Sequence, residues 1–419
     1  MSIQLPYGKG TLPLDVPAKN LLGVILPRDF VIPEPPQALL KKALENPMGT
    51  DRLSEIAKPG DRVAIVVDDY TRPCPDKELL PPVLEELKIA GVNDTDVTII
   101  VGCGTHKPPS FEMTKDIVGD KVFRNYTVIS NDSVNGEFVS VGKSKRGNNI
   151  EILRDYADAD VKILLGDIEY HYFAGYGGTR KSILPGISSN STIQANHKLM
   201  FEEHAHTGVL KDNPIHLEMN EAMHFAGCDF ALSVVLNSSH RIIGAWAGRP
   251  ESVMDAGVKL VDEMYKRQVE KKADIIVVSA DGSPHDIDLY QSIKALHNSM
   301  HVLNEKGVII LVAECINGHG SQMYVDWLKN HKNSKEVEAS LKKNFIMGAH
   351  KAYYHFAAIE KHPVIFVSAM DKNEVENIFK FRYAANANDA LNVAFGIAGK
   401  DAKVLVVPHG TTTLLVNKN

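Results

Sequence analysis

Long apolar runs are missing from this 419-residue chain. Stretches such as Gly307–Ala313 fall far short of the roughly 18–20 residues that cross a bilayer, so no membrane-spanning helix and no membrane partner are expected. The opening residues Met1–Gly8 carry no charged segment followed by an apolar one, which argues against a secretory signal. An excess of one charge is missing too. Lys and Arg total 46 against 52 Asp and Glu, a net of −6, and the cations are dispersed. That balance argues against nucleic acid as a partner. The short basic run Lys143–Arg146 reads as a solvated loop. Cysteine is scarce: Cys74, Cys103, Cys228 and Cys315 form no C-x-x-C pair, which fits a reduced, cytoplasmic protein. No internal repeat of about 20–50 residues is present.

What is present is a short β-branched run ending in polar residues, repeated along the chain. Val63–Val67, Val97–Val101, Val161–Leu165, Ile275–Val278, Val308–Val312, Val364–Val367 and Val404–Val407 all have this form. Near-continuous apolar runs mark strands buried on both faces. Helix-like stretches lie between them: Asp76–Ala90, with Pro81 and Pro82 disturbing its start, and Pro250–Arg267. Strands alternating with helices predict an α/β fold with parallel sheets, which bind ligands at the carboxyl ends of their strands. A charged segment at Lys266–Lys272 precedes a new strand. It divides the chain into an N-terminal α/β domain, 1–268, and a C-terminal α/β domain, 272–419, with the last strand free to return to the first domain.

The polar residues after the strands carry the chemistry. Gly166–Gly186 is rich in glycine and contains Lys181. It almost matches a phosphate-binding P-loop, but Arg180 stands where the second glycine belongs. A phosphate site with an accessible lysine fits better than a nucleotide triphosphatase. His197 offers an imidazole suited to nickel or zinc; with His204 and His206 its spacing matches no standard zinc site. His106 follows Gly102–Thr105, and His171 opens the glycine-rich segment. Alone, each reads as a capping or core residue. Together they suit a racemase, which needs an acid or base on either side of a stereocentre. Within Asp68–Pro73, Arg72 can grip a carboxylate or phosphate, and Asp69 can orient it or hold a ribose hydroxyl. Tyr290 and Lys294 are four apart on one helical face with Gln291 beside them, a possible anion clamp.

These segments resemble the nickel-dependent lactate racemase family. The match is to D-D-x-T-R-P at Asp68–Pro73, G-x-x-x-H at Gly102–His106, H-x-F-A-G-x-x-G-x-x-K-S-x-x-P-G at His171–Gly186, N-H at Asn196–His197 and Y-Q-x-x-K at Tyr290–Lys294, in that order. The resemblance implies two α/β domains with parallel-rich, Rossmann-like sheets and an active site in the interdomain cleft. It implies a nickel-pincer nucleotide, the nickel(II) complex of pyridinium-3,5-bisthiocarboxylate mononucleotide, covalently attached at Lys181, with His197 as the metal ligand. His106 and His171 match the acid/base pair. Asp69, Tyr70, Thr71, Arg72, Gln291 and Lys294 match cofactor contacts; Arg72, Tyr290, Gln291 and Lys294 match substrate contacts. The implied reaction interconverts the stereoisomers of lactate or a related 2-hydroxy acid by proton-coupled hydride transfer to and from the cofactor. Implied partners are the small hydroxy acid and, transiently, cofactor-biosynthesis enzymes. Gly177–Thr179 departs from the family's usual residues. Two alternatives are an NAD-dependent 2-hydroxy-acid oxidoreductase, which would need a G-x-G-x-x-G after the first strand, and a cofactor-less anion-binding or sensing protein.

Overall fold

The computed structural model describes residues 2–28, 30, 32 and 34–418. These residues form two compact units. A continuous unit runs from 30 to 263, and a split unit combines 2–28 with 264–418. Each is built on a six-stranded, mostly or wholly parallel sheet. The twelve strands of those sheets are β1 (Leu21–Val24), β2 (Val63–Val67), β3 (Val97–Val101), β4 (Thr127–Ser130), β5 (Val161–Asp167), β6 (Phe230–Leu236), β7 (Ile242–Gly248), β8 (Ala273–Ser279), β9 (Leu303–Val312), β10 (Val364–Val367), β11 (Arg382–Ala384) and β12 (Val404–Val407).

In the continuous unit the order is β7-β6-β5-β2-β3-β4, with only β7 antiparallel. The chain builds from β2 through β3 to β4, then returns to the other side of β2, so the strand order reverses between β2 and β5. Val63, Ile65, Val67, Ile99, Val101, Ile163 and Leu165 enter one core with helix α1 (Asp76–Ile89). This helix passes through Pro81 and Pro82 despite their missing N–H groups. Its buried Leu79, Leu80, Val83, Leu84 and Leu87 hold it against the sheet, and tertiary burial outweighs local propensity there.

In the split unit the order is β11-β10-β9-β8-β12-β1, parallel throughout. Here the reversal lies between β8 and β12. Residues 2–28 therefore depart from the expected division. Ile3, Leu5, Leu14 and Val16 pack into the core of β8, β9 and β12, and β1 pairs with β12. The last strand, Leu414–Asn417, pairs in parallel with Lys266–Val269 and stays in the split unit, whose second segment opens at 264. Among the described residues, no helix is long and apolar enough to cross a membrane.

Candidate active site

In the continuous unit, the residues singled out in the sequence cluster at the carboxyl ends of β2, β3 and β5, next to the reversal. Gly102 N–H donates to Val67 O (2.9 Å) and Gly104 N–H to Gly186 O (2.9 Å), which fixes the turn after β3. Gly104 has φ +54°, a conformation that favours glycine. The turn delivers His106 to Asp69. His106 Nδ1 lies 2.6 Å from Asp69 Oδ2, and Asp69 Oδ1 accepts from Thr71 N–H (3.0 Å) and from the Thr71 hydroxyl (2.6 Å). Burial pushes the Asp69 carboxyl up, yet the bonds from His106 and Thr71 and the charge of Arg72 hold it below its ordinary value. With Nδ1–H committed to a carboxylate, the neutral ring carries its lone pair on Nε2.

His171 is wired the other way. A short hairpin of Tyr170–His171 with Gly175–Tyr176 presents it, and its Nδ1 accepts from Ala174 N–H (3.2 Å). That bond assigns the proton of the neutral ring to Nε2. The ring stacks on Tyr172 (5.0 Å) and meets Phe173 edge-on (4.4 Å). Phe173 also meets His197 edge-on (5.1 Å). His197 ends helix α2 (Asn190–His197), which Ser189 caps by accepting from Thr192 N–H (3.3 Å). Burial, then the Lys181 charge, lowers the His197 pKa to about 3.

Lys181 is held down to about 7, by burial first and then by Arg72; Glu169 and Asp68 oppose the shift. Arg72 Nη1 lies 3.7 Å from Glu169 Oε1. Burial works against the Arg72 cation, but Glu169, Asp68, Asp69 and Asp167 together stabilise it. Burial, then the charges of Glu169 and Asp68, pushes Asp167 well up. Among the described residues, Asp68, Cys74 and Asp167 are the one group of potential metal-ligand atoms gathered within 4.8 Å. Asp68 and Asp167 both face the charges of Arg72 and Lys181, so we read them as counterions. His197 is not in that group. Tyr70 is exposed, and so are His204 and His206, which join no such cluster.

In the glycine-rich segment three amides are turned inward: Gly177 N–H donates to Glu169 O (2.7 Å), Lys181 N–H to Gly178 O (3.2 Å) and Ser182 N–H to Thr179 O (2.9 Å). Its carbonyls converge on Arg180, which is fully buried. The guanidinium donates to Ala174 O (3.2 Å), Tyr176 O (2.9 Å), Gly177 O (3.1 Å), Gly178 O (3.2 Å) and His216 Nδ1 (2.7 Å). Burial lowers its pKa to about 9, so it stays charged at neutral pH. Gly175 has φ +79°, and a Cβ there would stand 2.2 Å from Val209 O, so only glycine fits. Sequence reasoning met Arg180 only as a flaw in a P-loop. Its role as the staple between His171 and Lys181 had no signal beyond an arginine flanked by glycines.

The split unit carries Tyr290, Gln291 and Lys294 on helix α3 (Leu289–Ser299). Asp288 caps this helix by accepting from Gln291 N–H (2.8 Å). Tyr290 and Lys294 sit one turn apart, as the spacing predicts. Sequence reasoning missed their neighbour Lys351, 3% exposed, whose ammonium lies 5.1 Å from the Tyr290 ring centroid. Burial, then the charge of Lys294, lowers its pKa well below the ordinary value.

Two family models match the chain, the lactate racemase N-terminal domain over residues 7–208 and the lactate racemase C-terminal domain over 268–415. Lactate racemase of Thermoanaerobacterium thermosaccharolyticum is 33% identical over 426 residues, covering 100% of both chains. Lactate racemase of Lactiplantibacillus plantarum is 30% identical over 419 residues, covering 98% of each. The solved lactate racemase apoprotein from T. thermosaccharolyticum superposes with a TM-score of 0.91, over 99% of this chain and 100% of that one. A Thermotoga maritima protein, 17% identical with a TM-score of 0.64 over 91% of this chain and 98% of that one, shares the fold.

Proposed function

Because the chain belongs to the lactate racemase family, whose named members are isomerases, we propose that it racemises or epimerises a 2-hydroxy acid, lactate or a close relative, with a nickel-pincer nucleotide as cofactor. The observation that carries the reading is the opposed wiring of two imidazoles. Asp69 leaves His106 Nε2 as a proton acceptor, and the Ala174 amide leaves His171 Nε2 as a proton donor. One takes the hydroxyl proton of a bound hydroxy acid while the other supplies one, and the reverse reaction exchanges the roles. In this reading Arg72, Lys294 and Gln291 are the carboxylate contacts and Tyr290 a further substrate contact, so that the reacting carbon turns about a fixed anchor.

The donor chemistry fits the cofactor. His197 is a buried neutral imidazole, the form that ligates nickel, and it stands outside the one cluster of potential ligands found among the described residues. Such a donor suits a metal that arrives with its other ligands. Lys181, lowered to about 7, presents a large neutral fraction at physiological pH, the form of an amine that makes a covalent bond. When bound, the cofactor supplies an electrophile able to accept and return a hydride. The protein's own work is to hold that group through Lys181, His197, Asp69, Tyr70, Thr71, Arg72, Gln291 and Lys294, and to move protons at His106 and His171. The reading includes a cytoplasmic setting and transient contact with the cofactor-making enzymes.

The test is nickel content of protein produced together with those enzymes, in wild type and His197→Ala, followed by a screen of 2-hydroxy acids for loss of optical purity. We expect one nickel per wild-type chain, a large loss in the variant and racemisation of at least one acid. Wild-type protein without nickel under those conditions would refute the cofactor assignment. Loaded protein that racemises no hydroxy acid would refute the substrate class.

A further inference from the structure

The hairpin that presents His171 is held by a helix outside the site described above. Tyr170 and Tyr176 stand directly opposite one another in its ladder, with their rings 5.2 Å apart. Both hydroxyls donate to Oδ1 of Asp262, from Tyr170 at 2.8 Å and from Tyr176 at 2.5 Å. Asp262 belongs to the helix Pro250–Tyr265 in the continuous unit. The same helix meets the segment around His171 at two further points. Met254 Sδ lies 3.4 Å from Arg180 Nη1. Gly257 lets the helix close on Ile168, whose Cδ1 would stand 2.3 Å from a Cβ there.

Side chains alternate between the two faces of a strand. Tyr170 and Tyr176 therefore occupy one face of the hairpin, and His171, the next residue, the other. A ladder of two residues per strand does not hold that arrangement by itself, because even a longer isolated hairpin is marginal in water. Arg180 fixes the carbonyls of Ala174 and Tyr176 on the returning strand. The two phenols fix both strands to one carboxylate, and hydrogen bonds to a charged acceptor are roughly twice as strong as neutral ones. Tyr176 is 2% exposed, and burial, then Asp262, raises its pKa, so the proton stays on the phenol and the bond keeps its direction. The Ala174 amide sets the His171 ring within the hairpin; the carboxylate sets the hairpin on the body of the unit.

We propose that Asp262 is a positioning residue for His171: by clamping Tyr170 and Tyr176 on one face of the hairpin, it sets where the imidazole on the other face points. Asp262 works through the hairpin and takes no part in proton transfer itself. The inference rests on the acid/base role proposed for His171 only for its effect on rate. The placement of the ring is readable without it.

The experiment uses the full chain with 15N-labelled histidine, as Asp262→Leu, Asp262→Asn and Tyr170→Phe. Leucine leaves no acceptor, asparagine keeps an oxygen for the hydroxyls, and phenylalanine removes one hydroxyl but keeps the ring. The His171 ring signals are those missing from His171→Gln. We expect them to shift in Asp262→Leu and Tyr170→Phe and to hold the wild-type position in Asp262→Asn, with the His106 and His197 ring signals unmoved in all three. In nickel-loaded enzyme we expect kcat of Asp262→Leu to fall about 10- to 10²-fold, with KM changed less than about threefold and nickel content unchanged, and Asp262→Asn to return to within about threefold of wild type. Wild-type His171 signals in folded Asp262→Leu and Tyr170→Phe would overturn the proposal, and Tyr170→Phe decides alone if Asp262→Leu does not fold. Equal shifts of His106 and His197 would also overturn it, since the clamp would then support the whole unit, as would a kcat loss in Asp262→Asn as large as in Asp262→Leu. If wild-type protein racemises no hydroxy acid, the proposed function fails, and the ring signals still decide the clamp.

Discussion

The two units put the same device at the carboxyl ends of neighbouring parallel strands and surround it with different chemistry. In the continuous unit Asp69 holds His106; in the split unit Asp281 holds His409. In each, a threonine gives its backbone N–H and its hydroxyl to the aspartate: Thr71, two residues after Asp69, and Thr411, two residues after His409. Exposures match as well: 36% and 3% for His106 and Asp69, 35% and 6% for His409 and Asp281. The surroundings do not match. Around Asp69 stand Arg72, Lys181 and buried carboxylates, and the next segment is stapled by Arg180. Asp281 is held by threonines and a histidine. A histidine–aspartate pair alone thus specifies only where an imidazole keeps its proton. The charges of Arg72 and Lys181 beside Asp69 give the continuous unit's pair an electrostatic setting that could attract an anion.

The largest test of that distinction is Arg180→Leu. The substitution takes a donor from four carbonyls and from His216 Nδ1, of which Gly178 O keeps the Lys181 N–H. Leaving a buried acceptor without a donor costs about 1–3 kcal/mol, so several together cost about 3 kcal/mol or more. We expect a loss of that size in urea denaturation, with racemase activity falling to background because His171 and Lys181 flank the stapled loop. A variant within about 0.5 kcal/mol of wild type would mean the loop is held by its neighbours instead.

These contrasts were only partly legible in the sequence. Buried parallel strands announce themselves as β-branched runs, so β2, β3, β5, β8, β9, β10 and β12 are readable from composition alone. The four-residue β1 has no such run, and its place beside β12 depends on contacts nearly 400 residues away in the chain. His106, His171, Lys181 and His197 stand out because each sits in a dense local motif. Arg180 looked like a flaw because its partners are backbone carbonyls, which leave no trace in side-chain identity. Asp281 and His409 lie 128 residues apart, and neither periodicity nor spacing links them.

Asp69→Asn makes a smaller change. The amide keeps the shape, but its NH₂ can donate where the carboxylate could only accept, and a neutral partner no longer offsets an imidazolium. General acid–base catalysis is worth about 10²–10⁴ in rate. We expect kcat to fall about 10²-fold with KM changed less than threefold, and nickel content to fall much less than kcat, because the proposed covalent and metal contacts, Lys181 and His197, are untouched. Equal losses in kcat and nickel would instead make holding the cofactor the main part of Asp69's role.

Thr71→Val is the finest probe, since it removes one hydroxyl from Asp69 and leaves the Thr71 backbone N–H in place. A single hydrogen bond contributes about 0.5–1.5 kcal/mol net, and one to a charged group about 1.5–3. The hydroxyl is 2.6 Å from Asp69 Oδ1 and also 3.4 Å from His106 Nδ1, so the valine methyl adds no replacement donor and frees the carboxylate to rotate. We expect a stability loss of about 1 kcal/mol and a kcat reduced three- to tenfold, about 0.7–1.4 kcal/mol of barrier. If kcat is unchanged while stability falls, the threonine only closes the turn, and the Asp69 carboxylate is oriented by His106 and the backbone alone.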